Sequence, residues 1–132
     1  MNAYVDANIF VFAALDGGTA GEKAAKILSK IQNGETSAAT SALALDEIMW
    51  VFVKNKKRHL LEQVLKGIYE MPNLMVLPVS AHAPLAAVEF MTKFNLQPRD
   101  ALHCAIMREN GLKTIFSDDA DFDKVKEFSR EF

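Results

Sequence analysis

Acidic residues come shortly after two short apolar runs of the sequence. Asp6 directly follows Ala3–Val5, and Asp119 and Asp121 come soon after Thr114–Phe116. Ligands of open parallel sheets bind beyond the carboxyl ends of the strands. If both runs are strands, these carboxylates are therefore at the expected edge of the fold. Each position also has a plain structural explanation, because Asp6 could cap the following helix and the later group could be an Asp-rich turn.

Glu47 lies on a helical stripe that is otherwise largely apolar. Leu43 and Val51 are its neighbours four residues away, and Ala44 and Trp50 are its neighbours three residues away. A charged side chain is seldom placed on such a stripe without a partner or a metal ion. Glu47 is therefore a further candidate for the same site.

Asp100 lies in the first turn of a helix that Pro98 can begin. Its helical neighbours His103, Cys104 and Met107 form a face that we expect to be buried. A helix N-terminus favours an acid by itself, so Asp100 alone has an ordinary explanation. That explanation becomes strained when two acidic groups follow strands and two more acids lie on apolar helix faces.

Carboxylates that converge repel one another, and without a cation some of their pKa values rise. Hard divalent cations remove this repulsion, and Mg²⁺ prefers oxygen ligands. One or two such ions can activate water, orient a phosphodiester and stabilise the leaving oxygen. With only one cysteine, Cys104, the chain lacks the spacing of a Cys₂His₂ zinc site. The acidic positions therefore predict a Mg²⁺ or Mn²⁺ site for phosphodiester hydrolysis.

The elements that must position these residues alternate between strands and helices. Short apolar runs predict strands over residues 3–5, 36–40, 74–79 and 114–116, with Pro78 indicating an edge strand or its end. Helical spacing predicts helices over residues 8–15, 21–31, 42–53, 60–69, 81–94 and 98–110, and a short one near residue 122. The pattern favours one α/β domain over residues 1–132, with about four mainly parallel strands flanked by helices.

Composition limits the classes of protein that this chain can represent. It has 132 residues, of which 50% are hydrophobic and 24% charged, as expected for one globular domain. No window is apolar enough to span a membrane, the N-terminus lacks a secretory pattern, and Cys104 has no partner for an internal disulfide. We therefore expect a cytoplasmic protein with no membrane contact.

A net charge of −2 argues against nucleic-acid binding through bulk positive charge, but it does not exclude a nuclease whose metal meets the phosphate. Basic side chains that could contact RNA are Arg99 and the run Lys54, Lys56, Lys57 and Arg58. Ordinary solvated surface is the alternative for both. We expect His103 and Cys104 to be packing groups, with His103 as a neighbour of the site as the alternative. Trp50 and Phe52 are expected to be core or dimer contacts, with stacking on RNA bases as the alternative.

The motifs resemble those of the PIN-domain family in the same order along essentially the whole chain, and most closely those of VapC-type toxins of prokaryotic toxin–antitoxin pairs. The motifs are Tyr4-Val5-Asp6-Ala7-Asn8, then Glu47, then Arg99-Asp100-Ala101-Leu102-His103, and then Phe116-Ser117-Asp118-Asp119-Ala120-Asp121-Phe122. The resemblance implies a PIN-like three-layer α/β fold. It also implies an endoribonuclease that uses Mg²⁺ or Mn²⁺, is usually dimeric and has an antitoxin partner.

The resemblance also assigns residues to roles. The family's four acidic positions match Asp6, Glu47, Asp100 and Asp119, with Asp119 favoured over the adjacent Asp118. Supporting positions match Asn8, Ser117 and Asp121. On this hypothesis Asp6, Asp100 and Asp119 bind the metal, and Glu47 helps to hold the attacking water or acts as general base.

Three alternatives remain open at this stage. The chain could be a housekeeping RNA-processing enzyme or a DNA-directed nuclease with the same acidic residues. It could be an inactive PIN-like binding module, although the acidic set is complete. It could also be a response-regulator-like phosphate-binding domain, although it lacks the early acid pair and the late lysine of that class.

Overall fold

A computed structural model describes residues 1–132 and contains a central sheet of five parallel strands. The strands are β1 (Ala3–Val5), β2 (Ala38–Ser41), β3 (Leu74–Leu77), β4 (Thr114–Phe116) and β5 (Ser129–Glu131). Their order across the sheet is β3-β2-β1-β4-β5. The chain thus winds outward from β1 in both directions. In such sheets, ligands bind at the carboxyl ends of the strands where the winding direction reverses.

Six α-helices flank the sheet, and two short 3₁₀ turns complete the chain. The helices are α1 (Ala7–Leu15), α2 (Thr19–Gln32), α3 (Ala42–Lys54), α4 (Leu61–Glu70), α5 (Ala83–Phe94) and α6 (Pro98–Glu109), and the 3₁₀ turns cover Arg58–Leu60 and Ala120–Lys124. The Asp6 side chain caps α1, and the Ser41 side chain caps α3. Because each cap is at or just after a strand end, these strands pass directly into helices. No helix has both the length and the apolar character needed to cross a membrane.

The alternation of side chains along the strands divides the core between the two faces of the sheet. On one face, Tyr4 and Ile115 pack with Phe90 of α5 and Ile106 of α6. On the other face, Val5 of β1 belongs to the cluster that α1, α2, α3 and α4 complete. The predicted layered α/β fold, with a short parallel sheet between helices, is therefore confirmed.

The fifth strand is the main difference from the sequence-based expectation of about four strands. β5 has the sequence Ser129-Arg130-Glu131, which carries no apolar signal, and its residues are exposed or half-buried. It pairs with β4 at the edge of the sheet, where polar residues are tolerated. β3 forms the opposite edge and ends at Leu77, just before Pro78, as that proline indicated.

Candidate metal centre

Asp6 lies at the carboxyl end of the central strand and is almost fully buried. Its Oδ1 accepts a hydrogen bond from the backbone N–H of Ala7 at 2.8 Å, and its Oδ2 accepts one from the Ser117 hydroxyl at 2.6 Å. Asp6 therefore caps α1 and also faces the residues that follow β4. The structural and the functional interpretation of this position are compatible.

Ser117 and Asn8 connect the loop after β4 to Asp6. The Asn8 side-chain amide donates to Ser117 Oγ at 3.2 Å, and Ser117 Oγ also accepts from the backbone N–H of Asp119 at 3.0 Å. The Asn8 side-chain oxygen, Oδ1, accepts a hydrogen bond from the backbone N–H of Asp118 at 3.3 Å. These bonds hold the loop that carries Asp119 against the end of β1. Both residues thus lie between Asp6 and the loop after β4.

Glu47 reaches the same region from α3 and forms a hydrogen bond with His103 of α6. His103 Nε2 is also 3.7 Å from Asp6 Oδ1. Asp6, Glu47 and His103 each place one ligand-type atom within 4.8 Å of the other two. We call these three residues the inner cluster.

A second group of carboxylates lies beside the inner cluster. Asp100, at the start of α6, meets Asp119 and Asp121 from the loop after β4, and one oxygen of each lies within 4.8 Å of the others. All three side chains are half-buried. Asp119 Oδ1 accepts from the backbone N–H of Asp121 at 2.9 Å, and Asp121 pairs with Lys124 at 3.3 Å. We call these three residues the outer cluster.

A cleft of about 180 Å³ brings the two clusters together. Four of its lining residues are the acids that the sequence singled out, and these are Asp6, Glu47, Asp100 and Asp119. Asp121 is in the outer cluster but does not line this cleft, and Asp118 is exposed beside it. Between the adjacent Asp118 and Asp119, only Asp119 faces the cleft.

The charges in this cleft shift several pKa values. The pKa of Asp100 is raised from 3.8 to about 6, first by burial and then by the negative charges of Asp119 and Asp6. Burial also raises the pKa of Asp6, although His103 and the Ser117 hydrogen bond act in the opposite direction. Burial tends to lower the pKa of His103, but the Glu47 hydrogen bond and the Asp6 charge outweigh it and give a net increase.

The donor set fits a hard divalent cation. Asp100 and Asp119 form no ion pair with a lysine or arginine, and the charge that raises the pKa of Asp100 comes from other carboxylates. Oxygen ligands that face one another without a positive partner suit Mg²⁺ or Mn²⁺. Asp6, Asp100 and Asp119 all line the cleft, from the end of β1, α6 and the loop after β4. Asp100 and Asp119 lie in one cluster with ligand atoms within 4.8 Å, and Asp6 lies in the adjacent one.

The basic residues named from the sequence lie outside the cleft. Lys54, Lys56, Lys57 and Arg58 are exposed at the end of α3 and in the turn after it. The Arg99 guanidinium is 3.6 Å from the Asp46 carboxylate, and both side chains are more than half exposed. The structure therefore places none of these five residues in the acidic cluster.

The packing predictions had mixed outcomes. Phe52 and Cys104 are fully buried as expected, and burial raises the pKa of the Cys104 thiol to about 12. Trp50 is 60% exposed, so it is not part of the core of this chain, and its alternative assignment to a dimer contact stays a prediction. His103 is buried as expected, but it is more than a packing group because it bonds to Glu47.

Tyr4 and Ser41 join the polar network of this site, although the sequence reasoning did not include them. The Tyr4 hydroxyl lies 2.6 Å from His103 Nδ1 and 2.6 Å from Ser41 Oγ. A tyrosine inside a short buried strand is a usable signal, because its hydroxyl needs a partner when the ring is buried. The sequence alone could not show that this partner is a histidine 99 residues later in the chain.

The family model described as "PIN domain" matches residues 3–128. Among curated proteins, none matches the chain. The toxin VapC20 of Mycobacterium tuberculosis, described as cleaving the sarcin–ricin loop, is a similar solved structure with 18% identity, 92% of this chain and 93% of that chain covered, and a TM-score of 0.77.

Two further solved structures are similar to this chain. VapBC2 of Rickettsia felis, bound to a DNA fragment from its promoter, has 18% identity, covers 99% of this chain and 98% of its own, and gives a TM-score of 0.76. FitAcB of Neisseria gonorrhoeae has 15% identity, covers 98% of this chain and 96% of its own, and gives a TM-score of 0.75. At these identities the similarity shows a shared fold over nearly the full length.

Proposed function

The chain belongs to the PIN domain family, and from this membership we propose that it is a Mg²⁺- or Mn²⁺-dependent endoribonuclease, the toxin of a toxin–antitoxin pair. The observation that carries the proposal is the single cleft lined by Asp6, Glu47, Asp100 and Asp119. These acids come from α3, α6 and the ends of two strands. A fold does not by itself specify an activity, so the argument depends on this site.

Asp6, Asp100 and Asp119 are the residues that would hold the cation. When bound, Mg²⁺ or Mn²⁺ supplies Lewis acidity toward the phosphate and lowers the pKa of water. Asp6 is fixed by its bonds to Ala7 and Ser117, so its carboxylate is preorganised. Asp100 and Asp119 face each other without a basic partner, and a cation would relieve their repulsion.

Glu47 is the general base in this proposal. Its Oε1 bonds to His103, whereas its Oε2 makes no hydrogen bond and the side chain lines the cleft. An ionised carboxylate that faces the substrate can accept a proton from the attacking water. Ser117 and Asn8 support the reaction indirectly because they hold Asp6 and the loop of Asp119 in place.

RNA is the substrate that we propose, with Arg99 and the exposed basic run as backbone contacts. The run begins at Lys54, which is seven residues after Glu47 on α3, about 10 Å along the helix axis at the ordinary rise of a helix. Contacts of this kind position a nucleic acid without specifying its sequence. We place this activity in the cytoplasm, in keeping with the one free cysteine, Cys104.

We also propose an antitoxin and a second copy of the chain as partners. One similar structure is described as a toxin–antitoxin complex from Klebsiella pneumoniae. An apolar groove of about 280 Å³ between α1, α2 and α4 offers a surface for a protein partner, with Phe10, Leu28, Val64 and Met71 among its lining residues. Exposed apolar side chains on α3 and α5 support a homodimer, and these are Met49, Trp50, Val53, Leu85 and Val88.

The experiment that tests the proposed function is digestion of single-stranded and structured RNAs in Mg²⁺, Mn²⁺ or EDTA. We expect cleavage with either metal and none in EDTA. Asp6→Asn and Asp100→Asn should abolish cleavage, whereas Asp118→Asn is the matched control because its side chain is exposed beside the cleft. A DNA strand of the same sequence tests the DNA-directed alternative. Cleavage that persists in EDTA, or in both site variants, contradicts the proposal.

A toxin role needs a separate measurement. Expression of the wild-type chain should arrest bacterial growth, and Asp100→Asn should not. Co-expression of the protein encoded by the neighbouring gene should restore growth and form a complex with the chain. An RNA-processing enzyme would cleave RNA in vitro without arresting growth, so this outcome would favour the housekeeping alternative.

A further inference from the structure

A chain of buried hydrogen bonds runs beneath Glu47. Ser41 Oγ accepts from the backbone N–H of Ala44 at 3.2 Å and lies 2.6 Å from the Tyr4 hydroxyl. That hydroxyl lies 2.6 Å from His103 Nδ1, and His103 Nε2 bonds to Glu47 Oε1. Tyr4, Ser41 and His103 are at most 1% exposed. The network connects two strands and two helices, and it reaches solvent at Glu47, whose side chain is 22% exposed.

The Glu47 carboxylate sets the direction of its hydrogen bond with His103. An ionised carboxylate only accepts hydrogen bonds, so His103 Nε2 must carry the proton that it shares with Glu47. This holds whether the imidazole is neutral or charged. With a neutral ring, Nδ1 is an acceptor, and the Tyr4 hydroxyl donates to it.

The remaining donors then find acceptors in order. Because Tyr4 donates to His103, its oxygen is free to accept from the Ser41 hydroxyl, and Ser41 Oγ in turn accepts from Ala44. Every buried polar group in this hydrogen-bond network has a partner in this arrangement, as buried polar groups require. Glu47 thus fixes a proton on His103 Nε2, Tyr4 holds Nδ1 of the same ring, and His103 holds one oxygen of Glu47.

We propose that His103 is a positioning residue for catalysis, which directs Glu47 Oε2 into the cleft by holding Oε1, and that Tyr4 sets the orientation of the His103 ring. This inference rests on the proposed function, since it concerns how Glu47 acts in cleavage. A packing role alone would not need a histidine here. One turn further along α6, its helical neighbours Ile106 and Met107 are fully buried and apolar.

The test compares two substitutions of the same side chain. His103→Gln keeps an N–H donor near the position of Nε2, whereas His103→Leu removes it and keeps a similar volume. We expect His103→Leu to lower kcat by roughly 10- to 100-fold, the usual effect of losing a residue that orients a catalytic group, with little change in KM. His103→Gln should recover most of that loss, and Tyr4→Phe should cause a smaller decrease in kcat. His82→Leu, at an exposed histidine, is the matched control.

Thermal unfolding of each variant shows whether a loss of activity reflects loss of fold. If His103→Leu does not fold, the comparison of His103→Gln and Tyr4→Phe with wild type carries the test. Wild-type activity combined with full activity in folded His103→Leu overturns the inference. So does an equal loss of activity in the Gln and Leu variants, because the retained donor would then have no effect.

A spectroscopic measurement separates failure of this inference from failure of the proposed function. The ¹⁵N and ¹H shifts of the His103 imidazole should show a solvent-protected proton on Nε2, and Glu47→Gln should move that signal. An unprotonated Nε2, or a signal that Glu47→Gln leaves unchanged, overturns the inference. If the signal is as expected but wild type cleaves no RNA with Mn²⁺, the proposed function fails and the catalytic role of His103 fails with it.

Discussion

The inner and outer clusters lie side by side but balance their charges in different ways. In the inner cluster, Glu47 bonds to His103, and Asp6 accepts bonds from Ser117 and Ala7. In the outer cluster, Asp100 has no hydrogen-bond or ion-pair partner, and the negative charges of Asp119 and Asp6 raise its pKa. The inner carboxylates are thus held by hydrogen-bond donors of the protein, whereas Asp100 faces other carboxylates without a donor.

This contrast indicates how the work of the site is divided. Groups whose hydrogen bonds are complete in the folded chain are preorganised, which is what a proton acceptor or a fixed ligand needs. Carboxylates that repel one another destabilise the folded protein, and a bound cation removes this repulsion and raises the unfolding free energy. Metal binding should therefore change the unfolding free energy mainly through the outer cluster. Loss of a hydrogen-bond partner within the chain should lower it mainly through the inner cluster.

Metal binding should produce the largest difference between the clusters. At a free Mn²⁺ concentration of 100 times Kd, binding stabilises the folded state by about 2.7 kcal/mol. We expect wild type to show this increase in unfolding free energy and the double variant Asp100→Asn/Asp119→Asn to lose it. Urea denaturation with and without Mn²⁺ measures both, and Asp118→Asn should behave like wild type. An equal Mn²⁺ effect in the double variant would place the ion elsewhere.

Loss of a hydrogen-bond partner within the chain should lower the unfolding free energy more in the inner cluster than in the outer cluster. Glu47→Ala leaves the buried Nε2–H of His103 without its acceptor, which should lower the unfolding free energy in EDTA by about 1–3 kcal/mol. Asp121→Ala in the outer cluster removes only a half-exposed ion pair with Lys124 and should cost at most about 1 kcal/mol. Equal losses in the two variants would show that the clusters do not differ in this respect.

The pH dependence of stability gives a smaller test of the outer cluster. Below pH 3.8, Asp100 is protonated in both states, whereas between 3.8 and about 6 only the folded state retains its proton. The unfolding free energy of wild type in EDTA therefore falls as pH rises through this window. Asp100→Asn lacks this contribution, so its stability relative to wild type should increase with pH. The exposed Glu62→Gln is the control, and a flat difference for Asp100→Asn would contradict the raised pKa.

Much of the site follows from local sequence signals. Asp6 and Asp119 were identified because they follow apolar strands, and Glu47 because helical spacing places it among apolar residues. Each signal depends on a few neighbouring residues, so it can be recognised in the sequence without knowledge of the fold. The parallel sheet followed in the same way from alternating strands and helices.

The rest depended on contacts between distant parts of the chain. His103 bonds to Glu47 across 56 residues and to Tyr4 across 99, and no periodicity encodes such pairs. β5 was missed because an edge strand can be polar and still pair through its backbone. The exposure of Trp50 could not be predicted, because helical spacing gives the direction of a side chain but not whether another element covers it.

The smallest expected effect comes from charges outside both clusters. If a metal balances the outer cluster, the exposed basic run should add only weak contacts with the RNA backbone. Lys54→Gln/Lys57→Gln should weaken RNA binding a few-fold, and the slope of log K against log salt should decrease by about 0.7 for each lost contact. Fluorescence anisotropy of RNA with the Asp100→Asn background in Mn²⁺ measures this, with Lys26→Gln/Lys30→Gln on α2 as the matched control. An unchanged slope would mean that this run does not contact RNA, whereas complete loss of binding would mean that the surface charge, and not the cluster, dominates recognition.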